Sequence, residues 1–129
     1  MLNVSSVPPA NARLRRLPLV TLYLTERCNS RCVTCDYWRH GRADVSLDLV
    51  TRLVPSLVTL GTRVALISGG EPLLNPQWHA IARLLKDVGI KPWLLTSGLS
   101  LAKHAERASQ MFDAITVSLD GTNSQTYEA

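Results

Sequence analysis

All three cysteines of this chain fall between Thr25 and Trp38, in the run TERCNSRCVTCDYW, where Cys28, Cys32 and Cys35 make a CxxxCxxC pattern. Thiolates are soft donors, so three of them on one short loop suit zinc or an iron-sulfur cluster far better than magnesium or calcium. The odd count, with no leader of the secretory type in the N-terminal stretch, speaks against a disulfide framework. A structural zinc or an electron-transfer cluster takes four protein ligands, and this loop supplies three. Either His40 closes a Cys3His zinc site, or one metal position stays open to a small molecule.

A second polar stretch is SGGEPLL, Ser68 to Leu74. Bare backbone at Gly69 and Gly70 would let main-chain groups approach a ligand closely, and Glu71 could then meet a cationic group. The plainer alternative is a strand-to-loop turn with a solvated glutamate. Further polar clusters are Thr96-Ser97-Gly98 and the pair Ser118 and Asp120, which share a strand face by the period of two. His79 and His104 fall on helical stretches, where packing or surface roles are the default. Neither a Ser-His-Asp arrangement nor a phosphate-cradling Walker loop is present.

The elements that must position these groups follow from hydrophobic periodicity. Leu19 to Thr25 is almost continuously apolar and bounded by Pro18, which predicts a strand buried on both faces that delivers the cysteines. Ser46 is placed to cap a helix running to about Leu60, with Val50, Val54 and Leu57 on one stripe, Gly61 as its stop and Pro55 kinking or ending its first half. Arg63 to Ser68 predicts a second strand, which delivers Gly69 to Pro72. Asn75 and Pro76 read as an N-cap and first helical position, followed by Trp78, Ile81, Leu85 and Val88 at helical spacing up to Gly89. Lys91 to Thr96 is a third strand, and Ser100 to Gln110 a third helix with Leu101, Ala105 and Ala108 inward. Ala114 to Leu119 is a fourth strand, with another helix beginning around Ser124.

Strands alternating with helices imply parallel strands joined by right-handed crossovers, hence an α/β layered or barrel fold. Every polar motif falls just after the C-terminal end of a strand, the edge where such folds place their sites. At 129 residues the chain is one domain able to bury roughly two-thirds of its unfolded surface. A hydrophobic content of 46% with 19% charged residues excludes a disordered chain. The net charge of +4 includes the group Arg13, Arg15 and Arg16, which lacks the interleaved aromatics of a base-stacking surface. No apolar run approaches a membrane span, so the expected location is the cytoplasm, where thiols stay reduced. Residues 1–18, with Val7-Pro8-Pro9, are expected to be a tail or linker ahead of a core domain at 19–129.

The CxxxCxxC loop followed by GGEP, in this order and at this separation, resembles the N-terminal part of the core domain of radical S-adenosylmethionine (radical SAM) enzymes. The resemblance runs from about Leu19 to the C-terminus. It implies a partial (β/α) barrel, of which about four of six βα units are readable here, so the core is expected to be incomplete. It further implies that Cys28, Cys32 and Cys35 hold a [4Fe-4S] cluster whose open iron is chelated by S-adenosylmethionine. Gly69, Gly70, Glu71 and Ser118 would bind that cosubstrate, with Thr96, Ser97 and Asp120 nearby. An electron donor such as flavodoxin or ferredoxin would reduce the cluster, and cleavage would yield a 5′-deoxyadenosyl radical acting on an unknown substrate. No protein side chain need act as a strong base in that first step. Thr34 stands where the family usually has an aromatic residue, with Tyr37 and Trp38 close by. The competing expectation is a non-catalytic protein holding zinc or a structural cluster.

Overall fold

The computed structural model describes residues 13–119 together with Gly121 and Asn123. Asp120 and the helix expected around Ser124 lie outside the described residues, as do residues 1–12. Four strands, β1 (Leu19–Tyr23), β2 (Val64–Ser68), β3 (Lys91–Thr96) and β4 (Ala114–Val117), form one parallel sheet in sequence order. Helices α1 (Leu47–Thr59), α2 (Trp78–Asp87) and α3 (Leu101–Met111) make the connections, as the alternating periodicity predicts. Leu17 and Pro18 already belong to this unit: the Leu17 carbonyl accepts from Thr62 Oγ1 at 2.7 Å and the Pro18 carbonyl accepts from Arg63 N–H at 2.9 Å.

The two faces of the sheet differ. In the register, Val20 lies beside Ala65 and Ala65 beside Pro92, while Leu22, Ile67 and Leu94 make the next row. Ala65, Ile67 and Leu94 are buried in one core with Val50, Val54 and Leu57 of α1, Ile81 and Leu85 of α2 and Ala108 of α3. That face is therefore the one the helices cover. The other face carries Tyr23, Leu66, Trp93 and Leu95, all half-buried or exposed. Its upper rows end at Ser68 and Ser118, so the polar motifs open onto the uncovered side.

Several sequence expectations need correction. Strand β1 is not buried on both faces, because no helix covers its second face among the described residues; Leu19 and Tyr23, on that face, are exposed. Ala105 is exposed, and α3 instead turns Leu101 and Ala108 toward the core. Helix α2 starts at Trp78, so Asn75 and Pro76 precede it in the turn that follows a 3₁₀ segment at Pro72–Leu74. Trp78 packs as expected, stacked on Phe112 with ring centroids 5.5 Å apart, and His79 and His104 lie edge-on to it.

Helix α1 is capped by the Ser46 hydroxyl, which accepts from Leu49 N–H at 3.2 Å. It then continues through Pro55 to Thr59 instead of ending there. Both Pro55 and Thr51, whose carbonyl loses its helical donor, are exposed, so water takes the carbonyl and the break costs less than it would inside. Replacing Pro55 with Ala restores that hydrogen bond, offset in part by a freer unfolded chain, and should raise unfolding stability by about 1–3 kcal/mol. Urea denaturation of the two forms checks this, and an unchanged or lowered midpoint would contradict it.

Candidate functional site

The cysteines ride on an excursion of the chain between Glu26 and Ala43 whose two legs are zipped together. Glu26 N–H donates to the Ala43 carbonyl and Val45 N–H to the Leu24 carbonyl, each at 2.9 Å, and Thr25 and Asp44 form an antiparallel bridge. Thr25 Oγ1 donates to Asp44 Oδ1 at 2.6 Å, and the Arg27 guanidinium donates to both Asp44 oxygens and to the Leu74 carbonyl. Below them Asn75, fully buried, donates through Nδ2 to the carbonyls of Leu24 (2.8 Å) and Val45 (2.9 Å). Its Oδ1 accepts from Gln77 N–H at 2.8 Å. One side chain thus holds both ends of the cysteine loop and the start of α2.

The GGEP stretch lies against the same loop. Leu24 N–H donates to the Ser68 carbonyl, Gly70 N–H to the Thr25 carbonyl and Glu71 N–H to the Arg27 carbonyl, at 2.8–2.9 Å. Gly69 sits at φ +129°, and a β-carbon there would come within 2.6 Å of the Thr25 carbonyl oxygen. At Gly70 a β-carbon would overlap the Arg27 carbonyl. The demand for bare backbone expected here therefore comes in the first place from the neighbouring main chain.

Glu71 is also placed differently from the expectation. Its carboxylate is fully buried and accepts from Thr96 Oγ1 at 2.8 and 2.9 Å, Ser97 N–H at 2.9 Å, Ser97 Oγ at 2.8 Å and Leu73 N–H at 3.3 Å. Such a set of donors satisfies a buried carboxylate and leaves it no free side for an incoming ammonium group. Neither a solvated glutamate nor a direct side-chain ligand describes it. It is the cross-brace between the GGEP turn and the end of β3; Asn29 of the cysteine loop meets it where Ser97 Oγ lies 3.4 Å from Asn29 Oδ1, and donates through Nδ2 to Ser100 Oγ at 2.9 Å.

Above the brace a cavity of about 270 Å³ opens on the uncovered side of the sheet. Cys28, Cys32 and Cys35 share its rim with Ser68, Gly69, Gly70, Thr96, Ser97 and Ser118. All three thiols are free; Cys28 is half-buried, and Cys32 and Cys35 are exposed. Burial pushes the Cys28 thiol above its ordinary range, with the charges of Glu71 and the other cysteines adding to the effect, while the Ser30 N–H 3.4 Å from the sulfur opposes it. Metal binding must displace that proton. Among the described residues, no three His, Cys, Asp or Glu side chains converge tightly enough to hold a single ion.

The donor set fits a cluster with an open iron: three soft thiols and, among the described residues, no histidine or carboxylate on the cavity rim. His40 is not on that rim, and its Nε2 lies 3.2 Å from Asp36 Oδ1. The Ser30 hydroxyl, in the same lining, is buried with no partner among the described residues. Of the two aromatics near Thr34, Tyr37 lines the cavity and stacks on Tyr23 at 6.1 Å, whereas Trp38 faces the outer side of the loop. Sequence reasoning did not assign site roles to Tyr37, Asn29, Arg27 or Asp44. Tyr37 carried a signal only as an aromatic near Thr34, and Asn75 only as a supposed helix cap.

The family described as the Radical SAM superfamily matches residues 22–129. The chain is similar to a protein named probable GTP 3′,8-cyclase from Methanococcus maripaludis, 34% identical over an alignment of 121 positions that covers 88% of this chain and 40% of that protein. A GTP 3′,8-cyclase of Limosilactobacillus fermentum is 33% identical over 84% of this chain and 35% of its own length. An AdoMet-dependent heme synthase of Methanosarcina barkeri is 29% identical over 85% of this chain and 33% of its own length. The chain thus spans 40% or less of these curated relatives.

If Asn75 acts as the clamp of the cysteine loop, its donor group matters separately from its capping oxygen. Asn75→Asp keeps an acceptor for Gln77 N–H but turns an oxygen toward two carbonyls, and should cost about 2–4 kcal/mol, at least as much as Asn75→Ala. Chemical denaturation of both variants measures this. An Asp variant as stable as the original would refute the clamp.

Proposed function

This chain belongs to the radical SAM superfamily, and we propose that it forms the cluster-binding and cosubstrate-binding part of a radical SAM enzyme. The observation that supports this most is the meeting of three free thiols with the Ser68–Gly70 backbone on the rim of one cavity that, among the described residues, holds no further histidine, cysteine or carboxylate. Cys28, Cys32 and Cys35 would hold a [4Fe-4S] cluster. Such a cluster, reduced by an electron donor such as flavodoxin or ferredoxin, would supply the one electron for reductive cleavage of S-adenosylmethionine to methionine and a 5′-deoxyadenosyl radical that attacks a substrate.

What the protein's own residues do is bind, orient and shield. The main chain at Ser68–Gly70 and the Ser97 and Ser118 hydroxyls offer donors and acceptors at the cavity wall for the polar parts of S-adenosylmethionine. Glu71 acts through them, holding Ser97 and the GGEP turn in place. Tyr37 gives a flat apolar wall on the same cavity, in the role that the sequence leaves vacant at Thr34. The start of this core is taken at about Leu17 in place of Leu19, because Leu17 and Pro18 are hydrogen-bonded to Thr62 and Arg63.

The substrate is a separate matter. Relatives of comparable identity carry names as unlike as GTP 3′,8-cyclase and AdoMet-dependent heme synthase. The shared stretch therefore marks common cofactor chemistry and leaves the substrate open. Among the described residues, no helix is long and apolar enough to cross a membrane.

Anaerobic reconstitution should load about four irons and four sulfides per chain, with an electron-resonance signal of the reduced cluster that changes when S-adenosylmethionine is added. Replacing Cys28, Cys32 or Cys35 with Ala should abolish that loading, and His40→Ala should leave it intact. Stoichiometric zinc whose affinity drops in the His40 variant would sink the proposal in favour of a Cys3His site.

A further inference from the structure

The cysteine loop is a wall with two sides. Its inner side faces the cavity with Ser68, Gly70 and Ser118, while its outer side bounds a separate depression of about 340 Å³. Cys32 and Cys35 line both. Trp38 stands in the outer depression, anchored by its indole N–H, which donates to the Cys35 carbonyl at 3.0 Å. The guanidinium groups of Arg39 and Arg31 lie 4.6 and 5.7 Å from the centre of its ring. Neither arginine has a carboxylate within ion-pair distance among the described residues; the one acid in the depression, Asp36, is paired with His40. Val33 completes the surface, 81% exposed.

We propose that this outer side, built on Arg31, Val33, Trp38 and Arg39, is the docking face for an acidic protein that carries a one-electron donor. The inference rests on the cluster assignment of the preceding subsection. If a reactive radical forms in the inner cavity, that cavity has to be closed to solvent and to reductant. The electron would then enter from the opposite side, where Cys32 and Cys35 form part of the wall between cavity and depression. Two arginines fixed over one ring, with a bare apolar side chain beside them, make a cationic rim around an apolar centre. Such a surface complements a partner ringed by carboxylates, and opposite charges there accelerate encounter.

The test follows cluster reduction by stopped flow in the reconstituted protein, with reduced flavodoxin as one donor and a neutral photoreduced deazaflavin as the other. With flavodoxin, the rate for the unmodified protein should fall steeply as salt rises. In the double variant Arg31→Glu, Arg39→Glu it should fall about tenfold or more at low salt, while the deazaflavin rate stays unchanged. A flavodoxin rate that is insensitive to salt in the unmodified protein, or equal in the variant, overturns the docking face while leaving the cluster in place. Should the double variant lose its cluster, the salt dependence of the unmodified protein alone decides. Failure of the unmodified protein to retain iron and sulfide would count against the cluster assignment instead, so the two failures are distinct.

Discussion

Two stretches of main chain, residues 24–27 and 68–71, run so close together that neither Gly69 nor Gly70 has room for a β-carbon. Everything distinctive about the site depends on that approach. It brings the cysteine loop, which leaves the end of β1, alongside the turn that leaves the end of β2, and three backbone hydrogen bonds extend the contact beyond the last paired row of the sheet. Neighbouring strands are parallel, so both segments emerge at the same edge. Thiols and peptide groups then share one rim without any long side chain having to reach for the other.

Below that contact the polar network is buried and closed. Asn75 ties the two ends of the loop from underneath, and Glu71 ties the GGEP turn to Thr96 and Ser97. Buried groups of this kind are costly when unpaired and directional when paired. Their role here is placement, and what they leave on the cavity rim is chiefly the main chain of Ser68–Gly70, the Ser97 and Ser118 hydroxyls and the Tyr37 ring.

Much of this arrangement was legible in the sequence. The helices and strands followed the periods 3.6 and 2, and β3 and the start of α1 fell where the caps and prolines put them. The three cysteines and the Gly-Gly pair were recognisable because their chemistry is carried by residue type and local spacing. What stayed hidden were relations between distant residues. Nothing in the sequence marks Asp44 as the partner of Thr25 and Arg27, seventeen or more positions away. Likewise the meaning of Glu71 changes once Thr96 and Ser97 are seen around it, and Asn75 looked like a helix cap because its long-range carbonyl partners have no local signature. Tyr37 and Trp38 were indistinguishable until the loop put one on each side of its wall. The burial of β1 was overread because apolar composition does not say whether a second layer covers a strand.

The zipped base of the cysteine loop also determines how the site comes apart. Leu24, Val45, Gly70 and Glu71 each donate a backbone hydrogen bond within one small junction, and Asn75 adds two more. Opening any of these bonds to water requires the two segments to separate, which opens the others. The junction is therefore a single unit of local unfolding, whose amide protons exchange with solvent together and more slowly than those of the exposed tip around Val33. The loop's outer reach is free to adjust around whatever it holds, while the places from which its cysteines set out do not move.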